Sequence, residues 1–188
     1  HAQNYVVFPS DHAAQPAVAN QRSTEGSTYT SRFPFSYGLS RCQWAIDHFD
    51  LGIPNGRQIS RIGFDRNGTS TSTGTQIQIE IKMVQPTVML GQIGGTFASN
   101  YTGGTPATVF NQQILSLPNR GGTLGVEEFF VMLDTPYSYD ASRVLITEFV
   151  TTATAPGNGA FNYYLDVARA LVLQRSYGSG CTNGTTLP

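Results

Sequence analysis

The stretch that most constrains the fold is TQIQIEIKMV, residues 75–84, because its side chains alternate strictly in character. Ile77, Ile79, Ile81 and Met83 fall on one side of an extended chain, and the polar residues between them fall on the other. A period of two indicates a β-strand with one buried face, whereas an amphipathic helix would repeat its apolar residues every three or four positions. The stretch therefore predicts a half-buried strand with one face on a core.

Further runs of similar character follow, and clusters of Gly, Pro, Asn and Asp separate them. Residues 58–66, QISRIGFDR, precede a Gly/Ser/Thr loop, and we expect them to form a hairpin with residues 75–84. Residues 165–176, LDVARALVLQRS, also fit a helical stripe, but their aromatic and β-branched neighbours favour a strand. The other predicted strands are CQWAI, ATVFNQQILSL, EEFFVMLD and RVLITEFV.

Eight or nine short strands with turns between them predict an all-β fold, an antiparallel β-sandwich of jelly-roll-like form. At 188 residues the chain can bury a core without help from a metal or a mesh of disulfides. Residues 31–188 are predicted to form a single β-sandwich domain, since no low-complexity linker divides them. Residues 1–30 contain one short apolar run among Ala, Gln, Ser and Thr, and they predict an extended N-terminal arm.

The charge of the chain limits its partners. Only 12% of the residues are charged, the net charge is -1, and no basic run is present, so we expect neither nucleic acid nor an anionic membrane as partner. No apolar run approaches the ~20 residues that cross a bilayer. Low charge with abundant Gly, Thr, Ser and Asn is typical of extracellular β proteins, which predicts secretion to the cell surface or beyond. Near-neutrality also permits self-association.

The two cysteines, Cys42 and Cys181, fit one disulfide in an oxidising compartment. Such a bridge would tie the C-terminal tail to an early strand. A loop of this length contributes about 4 to 5 kcal/mol in the chain-entropy model. The alternative is a pair of unrelated buried thiols, since neither cysteine lies in a metal-ligand spacing.

The sequence contains no HExxH pair, no GxSxG elbow and no phosphate-binding loop, and we expect neither enzymatic activity nor a cofactor. Calcium is an alternative, because the loop DHFDLGIPNG offers oxygen ligands from Asp47, Asp50 and Asn55. The same residues also suit a plain turn in which an aspartate caps the backbone.

Tyrosines suggest a second alternative, a glycan-binding module. Flat rings stack on the apolar face of a sugar, and Tyr137, Tyr139 and Tyr163 are the candidates for contact with a cell-surface or matrix polysaccharide. The single tryptophan, Trp44, lies in an alternating run beside Cys42 and is predicted to be a core residue instead.

Three motifs in order, TEGSTYTSRFPF, RCQWAIDHFDL and ISRIGFDRNG, resemble a group of secreted bacterial β-sandwich proteins of planctomycete type. Those proteins carry EGN…FPF, R-x-Q-x-x-Y-D and I-x-x-I-x-F-R in the same order, and the resemblance covers most of residues 24 to 181. Cys42, Trp44 and the sequence GFDR depart from the pattern. The resemblance implies export, a jelly-roll-like sandwich and a cell-surface or matrix location, and it assigns no catalytic residue.

The opening HAQNYVVFPSDHA admits a copper site as a third alternative. An N-terminal histidine can bind copper through its amine and its ring, as in polysaccharide monooxygenases, if His12 or His48 folds back beside His1. The end of an export signal explains the same residues equally well.

A different interpretation, in which this stretch is an extended arm that takes part in assembly, accounts for more of its residues. Tyr5, Val6, Val7 and Phe8 have high β propensity and end at Pro9. A short strand on a tether can pair with its own sheet edge or with an open edge of a neighbouring copy. The second arrangement is head-to-tail and need not close, so the leading hypothesis is a non-catalytic structural protein that forms a fibre, filament or surface layer.

Overall fold

The computed structural model describes residues 34–35, 39–64, 74–118, 129–154, 172–177 and 185–187. Within these residues the chain forms eight strands, one α-helical turn and two 3-10 helices, and none of the helices is long and apolar enough to cross a membrane. The strands are β1 (Ser40–Ile46), β2 (Gln58–Phe64), β3 (Thr75–Val84), β4 (Ala107–Leu117), β5 (Phe129–Ser138), β6 (Leu145–Thr154), β7 (Val172–Tyr177) and β8 (Thr185–Leu187). The helices are α1 (His48–Leu51), η1 (Leu90–Gln92) and η2 (Phe97–Tyr101).

The strands form two sheets in which every pair is antiparallel. The large sheet has the order β4-β3-β6-β1-β7-β8, and the small sheet pairs β2 with β5. The predicted all-β, antiparallel architecture is therefore confirmed. The jelly-roll connectivity and the arm over residues 1–30 stay predictions, because residues 1–33 lie outside the described part of the chain.

The two sheets pack face to face over one apolar core. The alternation that predicted β3 is confirmed, since Ile77, Ile79 and Ile81 are each at most 1% exposed. The core takes side chains from both sheets, so neither sheet buries its inner face alone. Its other buried members include Phe35, Phe64, Val109, Phe110, Leu117, Val131, Leu133, Leu145 and Phe149.

The predicted hairpin between residues 58–66 and 75–84 is wrong. β2 pairs with β5, with Ile62 opposite Val131, while β3 lies between β4 and β6 in the other sheet. Phe64 and Ile79 meet in the same core from opposite layers. A tight hairpin would need a connection of about two to five residues, and the longer stretch between β2 and β3 lets the chain change sheets.

Trp44 lies on the inner face of β1, as predicted for a core residue. It is partly buried, and its ring meets those of Phe64 and Phe149 edge to face at centroid distances of 5.8 and 4.9 Å. Such offset aromatic contacts add specific attraction to the burial of apolar area.

The strand interpretation of residues 165–176 is confirmed where the structure describes them. Residues 172–176 belong to β7, which pairs with β1 so that Cys42 faces Arg175 in the register. Residues 165–171 lie outside the described part.

The connection between β3 and β4, residues 85–106, folds over the outer face of the large sheet, and we call it the cap. Val84, Ile93 and Ile146 are buried in a second apolar cluster between the cap and the sheet. The cap closes on itself where the amide of Thr87 donates to the carbonyl of Thr102 at 2.9 Å. The turn that follows needs Gly103, whose φ of 75° lies in the left-handed region.

Candidate functional site

β4 is a terminal strand of the large sheet. Among the described strands only β3 pairs with it, so its other side has no strand partner within that set. Its register with β3 shifts where Ile79 faces Gln113 but Ile81 faces Phe110. Asn111 and Gln112 form the resulting bulge, with Gln112 in the left-handed region at a φ of 41°.

The bulge is tied to the small sheet by one carboxylate. Oδ2 of Asp134 on β5 accepts from the backbone N–H of Asn111 at 3.0 Å and from Nε2 of Gln113 at 2.7 Å. β5 has its own irregularity there, because Ile59 faces Tyr137 while Arg61 faces Met132. Asp134 therefore joins the edges of the two sheets at a point where both strands depart from regular pairing.

A shallow groove of about 470 Å³ opens beside this junction. The described residues that line it are all polar, and of these only Asp134 is ionisable. They are Thr108, Asn111, Gln113, Asp134 and Thr135.

Beyond the bulge, residues 113–117 of β4 form what we call the open edge. The sequence QILSL contains no charge and no proline, and the Ile114 side chain is 67% exposed. Ile114 faces Gln78 on the outer side of the sheet, and Leu115 faces Ile77 on the inner side. Natural proteins usually protect a sheet edge with lysine, proline or a bulge, and the open edge has none of these within its own length.

Behind the edge, the outer face of the large sheet holds a buried polar network. Glu148 on β6 is 1% exposed, and its Oε2 accepts from Nε of Arg41 at 2.8 Å and from Nε2 of Gln43 at 2.7 Å. The Tyr101 hydroxyl of the cap donates to the same oxygen. The network thus anchors the cap to β1 and β6.

Further contacts extend this network into the cap. Nδ2 of Asn100 donates to Oε1 of Gln43 at 2.9 Å, and the amide of Gly94 donates to Oδ1 of Asn100 at 2.9 Å. The Arg41 guanidinium lies 4.4 Å from the centre of the Phe97 ring, a cation–π distance.

The network changes the acidity of its members. Burial, reinforced by the hydrogen bond to Glu148, raises the pKa of Tyr101 well above its ordinary value. Burial alone lowers the pKa of Arg41, but the hydrogen bond and the charge of Glu148 outweigh it, and the net shift is upward. Both shifts hold the pair in the state that the carboxylate binds, a neutral phenol and a charged guanidinium.

Several predicted residues lie outside the described part of the chain. They are the arm Tyr5, Val6, Val7 and Phe8, the copper candidates His1 and His12, and also Cys181 and Tyr163. Cys42 is fully buried on β1. The disulfide and the arm therefore stay predictions.

The loop proposed for calcium is arranged as a capped turn. Oδ1 of Asp47 accepts from the amide of Phe49 at 3.1 Å and caps α1, and Oδ1 of Asn55 accepts from the amide of Ala141 at 3.1 Å. The side chain of Asp50 lies outside the described part. In that part, no three His, Cys, Asp or Glu residues gather as metal ligands.

The tyrosine platform is corrected by the structure. Tyr139 is 1% exposed and packs in the core, so its ring cannot stack on an external sugar. Tyr137 is half-buried against the same core, and burial raises the pKa of its hydroxyl. Tyr137 lies near the end of β5 and Tyr139 follows two residues later, so both rings fall on the same side as the core.

Sequence reasoning missed the residues of the network and of the bulge. Glu148 gave a signal, as it stands between apolar neighbours in RVLITEFV, where a charge needs a partner. Its partners lie on β1 and in the cap, far away in the sequence. Asp134 had no signal beyond being an acid near a turn.

Comparison of the chain with protein-family models, curated proteins and solved structures found no match.

Proposed function

We propose that this chain is a non-catalytic structural subunit of an extracellular fibre, filament or surface layer. In this proposal the N-terminal arm of one copy adds as a strand to a sheet of the next. The observation that carries the proposal is the open edge of β4, whose uncharged sequence and exposed Ile114 favour pairing with a further strand.

Composition supports the same proposal. A net charge of -1 over 188 residues leaves little repulsion between copies. Exposed apolar side chains are also present on the small sheet, where Phe130 is 47% and Met132 is 54% exposed. Copies of such a molecule can approach without a large electrostatic cost.

The glycan-binding alternative loses support from the described residues, because Tyr139 is buried and Tyr137 is half-buried. The copper alternative depends on His1 and His12, which the structure does not describe. Neither alternative has a described feature comparable to the open edge.

Electron microscopy of the purified secreted protein tests the proposal directly. We expect the complete chain to form fibres or sheets, and a variant without residues 1–10 to stay a folded monomer with an unchanged circular dichroism spectrum. A matched control lacks only residues 1–4 and keeps Tyr5 to Phe8, so it should assemble like the complete chain. A complete chain that stays monomeric at high concentration, or a 1–10 deletion that still forms the same assemblies, would contradict the proposal.

A further inference from the structure

We infer that the acceptor for the arm is the open edge of β4, residues 113–117, in a second copy of this chain, and that Tyr5 to Phe8 pair with it antiparallel. This inference rests on the proposed function and specifies its interface. It gives a register: Phe8 opposite Ile114 and Val7 opposite Leu115.

The side chains on the two partners match. The open edge presents an apolar residue on each face of the sheet, exposed Ile114 on the outer face and half-buried Leu115 on the inner face. Successive residues of an added strand point to opposite faces, and the arm is apolar at all four positions. A strand with one polar face would leave either Ile114 or Leu115 without an apolar neighbour.

The ends of the two segments match as well. Regular pairing along β4 stops at the bulge of Asn111 and Gln112, where Asp134 already accepts from the Asn111 amide. Antiparallel pairing puts Pro9 next to this bulge, directly after Phe8. Proline has no N–H for a ladder, so the arm ends its pairing where the edge ends its own.

The tether is long enough to join two copies. The described chain begins at Pro34, whose carbonyl accepts from Oγ1 of Thr151 at 3.2 Å, on the inner side of β6. Residues 9–33 separate this anchor from Phe8 and, when extended, reach up to about 80 Å. A folded body of this size is about 40 Å across, so the tether reaches the edge of an adjacent copy.

The small sheet and the first half of β4 are weaker acceptors than the open edge. The small sheet exposes Phe130 and Met132, but Arg61 lies over the Phe130 ring at 5.0 Å and brings a charge to that face. The first half of β4 is interrupted by the bulge and the groove.

Photocrosslinking in the complete chain tests the assignment. Benzoylphenylalanine replaces Phe8, a mixture of isotopically heavy and light copies is irradiated after assembly, and mass spectrometry identifies the attached peptide. We expect attachment within residues 113–117 of a different copy, seen as mixed heavy–light products. Attachment to the same residues of the same copy overturns the intermolecular acceptor, and attachment to β2 or β5 overturns the choice of edge while the assembly proposal stands.

The second test measures how a charge placed on the open edge changes the critical concentration for assembly. Ile114→Lys places on the edge the residue that proteins commonly use to block strand addition, and it should raise the critical concentration for assembly about tenfold or more. Phe49→Lys is the matched control, since Phe49 is 83% exposed on α1, which follows β1 three strand positions from β4. It should leave assembly unchanged. If Ile114→Lys assembles like the unmodified chain, the acceptor lies elsewhere, whereas an unmodified chain that never assembles refutes the proposed function itself.

Discussion

Glu148 and Phe149 are neighbours on β6, and each is 1% exposed, yet they are buried by opposite means. Phe149 points to the inner face and meets the rings of Trp44 and Phe64 at 4.9 and 5.9 Å. Glu148 points to the outer face, where Arg41 and the cap supply its hydrogen bonds. The same sheet therefore carries an apolar core on one side and a polar anchor on the other, and only the polar side depends on a matched set of partners.

The largest expected loss of stability comes from removing a large side chain from the apolar core. Phe149→Ala should lower the free energy of unfolding by about 4 kcal/mol, since it removes a buried ring and leaves a cavity among three aromatic neighbours. Urea denaturation followed by tryptophan fluorescence measures the change. A loss below about 1 kcal/mol would show that the two sheets do not pack as described.

Removing the polar anchor should cost slightly less. Glu148→Ala leaves the partly buried Arg41 guanidinium and the buried Gln43 amide without this acceptor, and we expect a loss of about 3 kcal/mol. Glu80→Ala is the matched control on the same face, because Glu80 pairs with Lys82 at 2.7 Å nearer the surface and should cost about 1 kcal/mol or less. Equal losses in the two variants would mean that the network contributes no more than an ordinary ion pair.

The smallest expected loss of stability comes from removing one hydrogen bond between the cap and the large sheet. Tyr101→Phe removes one hydroxyl that donates to Glu148, and we expect a loss of about 2 kcal/mol at neutral pH. The raised pKa of Tyr101 means that its contribution is complete below its ordinary pKa of 10.0 and declines as the pH rises above that value, because only the unfolded chain then ionises readily.

The fall in stability at alkaline pH provides a second test of this variant. Tyr101→Phe should flatten the fall in stability above pH ~10, measured by thermal unfolding across the alkaline range. An unchanged slope would place the hydroxyl outside the network.

The strands could be predicted from the sequence where one face meets the core. In β3, the alternation of side chains correctly placed Ile77, Ile79 and Ile81 on the buried face. The pairing of the strands could not be predicted. The hairpin of β2 with β3 was wrong because side-chain alternation specifies a buried face but not the sheet that contributes it. β2 and β3 both bury apolar side chains in the same core, from opposite layers.

The candidate site, too, could be predicted from the sequence only in part. The proposed arm was inferred from the sequence alone, from a run of β-favouring residues before Pro9. The open edge could not be inferred in this way, because residues 113–117 read like any other part of a strand until the sheet order places β4 at the margin. Tyr139 was wrongly expected at the surface, since tyrosine suits a core as well as a binding face.

The cap has a consequence for the form that association can take. Amyloid fibrils grow by edge pairing and also by lamination of bare sheets about 10 Å apart. Here η1 and η2 lie across part of the outer face of the large sheet, and the small sheet packs on its inner face, so the covered parts of the large sheet are not bare surfaces for lamination. In the proposed assembly, growth through the margin of β4 therefore joins folded molecules edge to edge, without stacking of the covered faces.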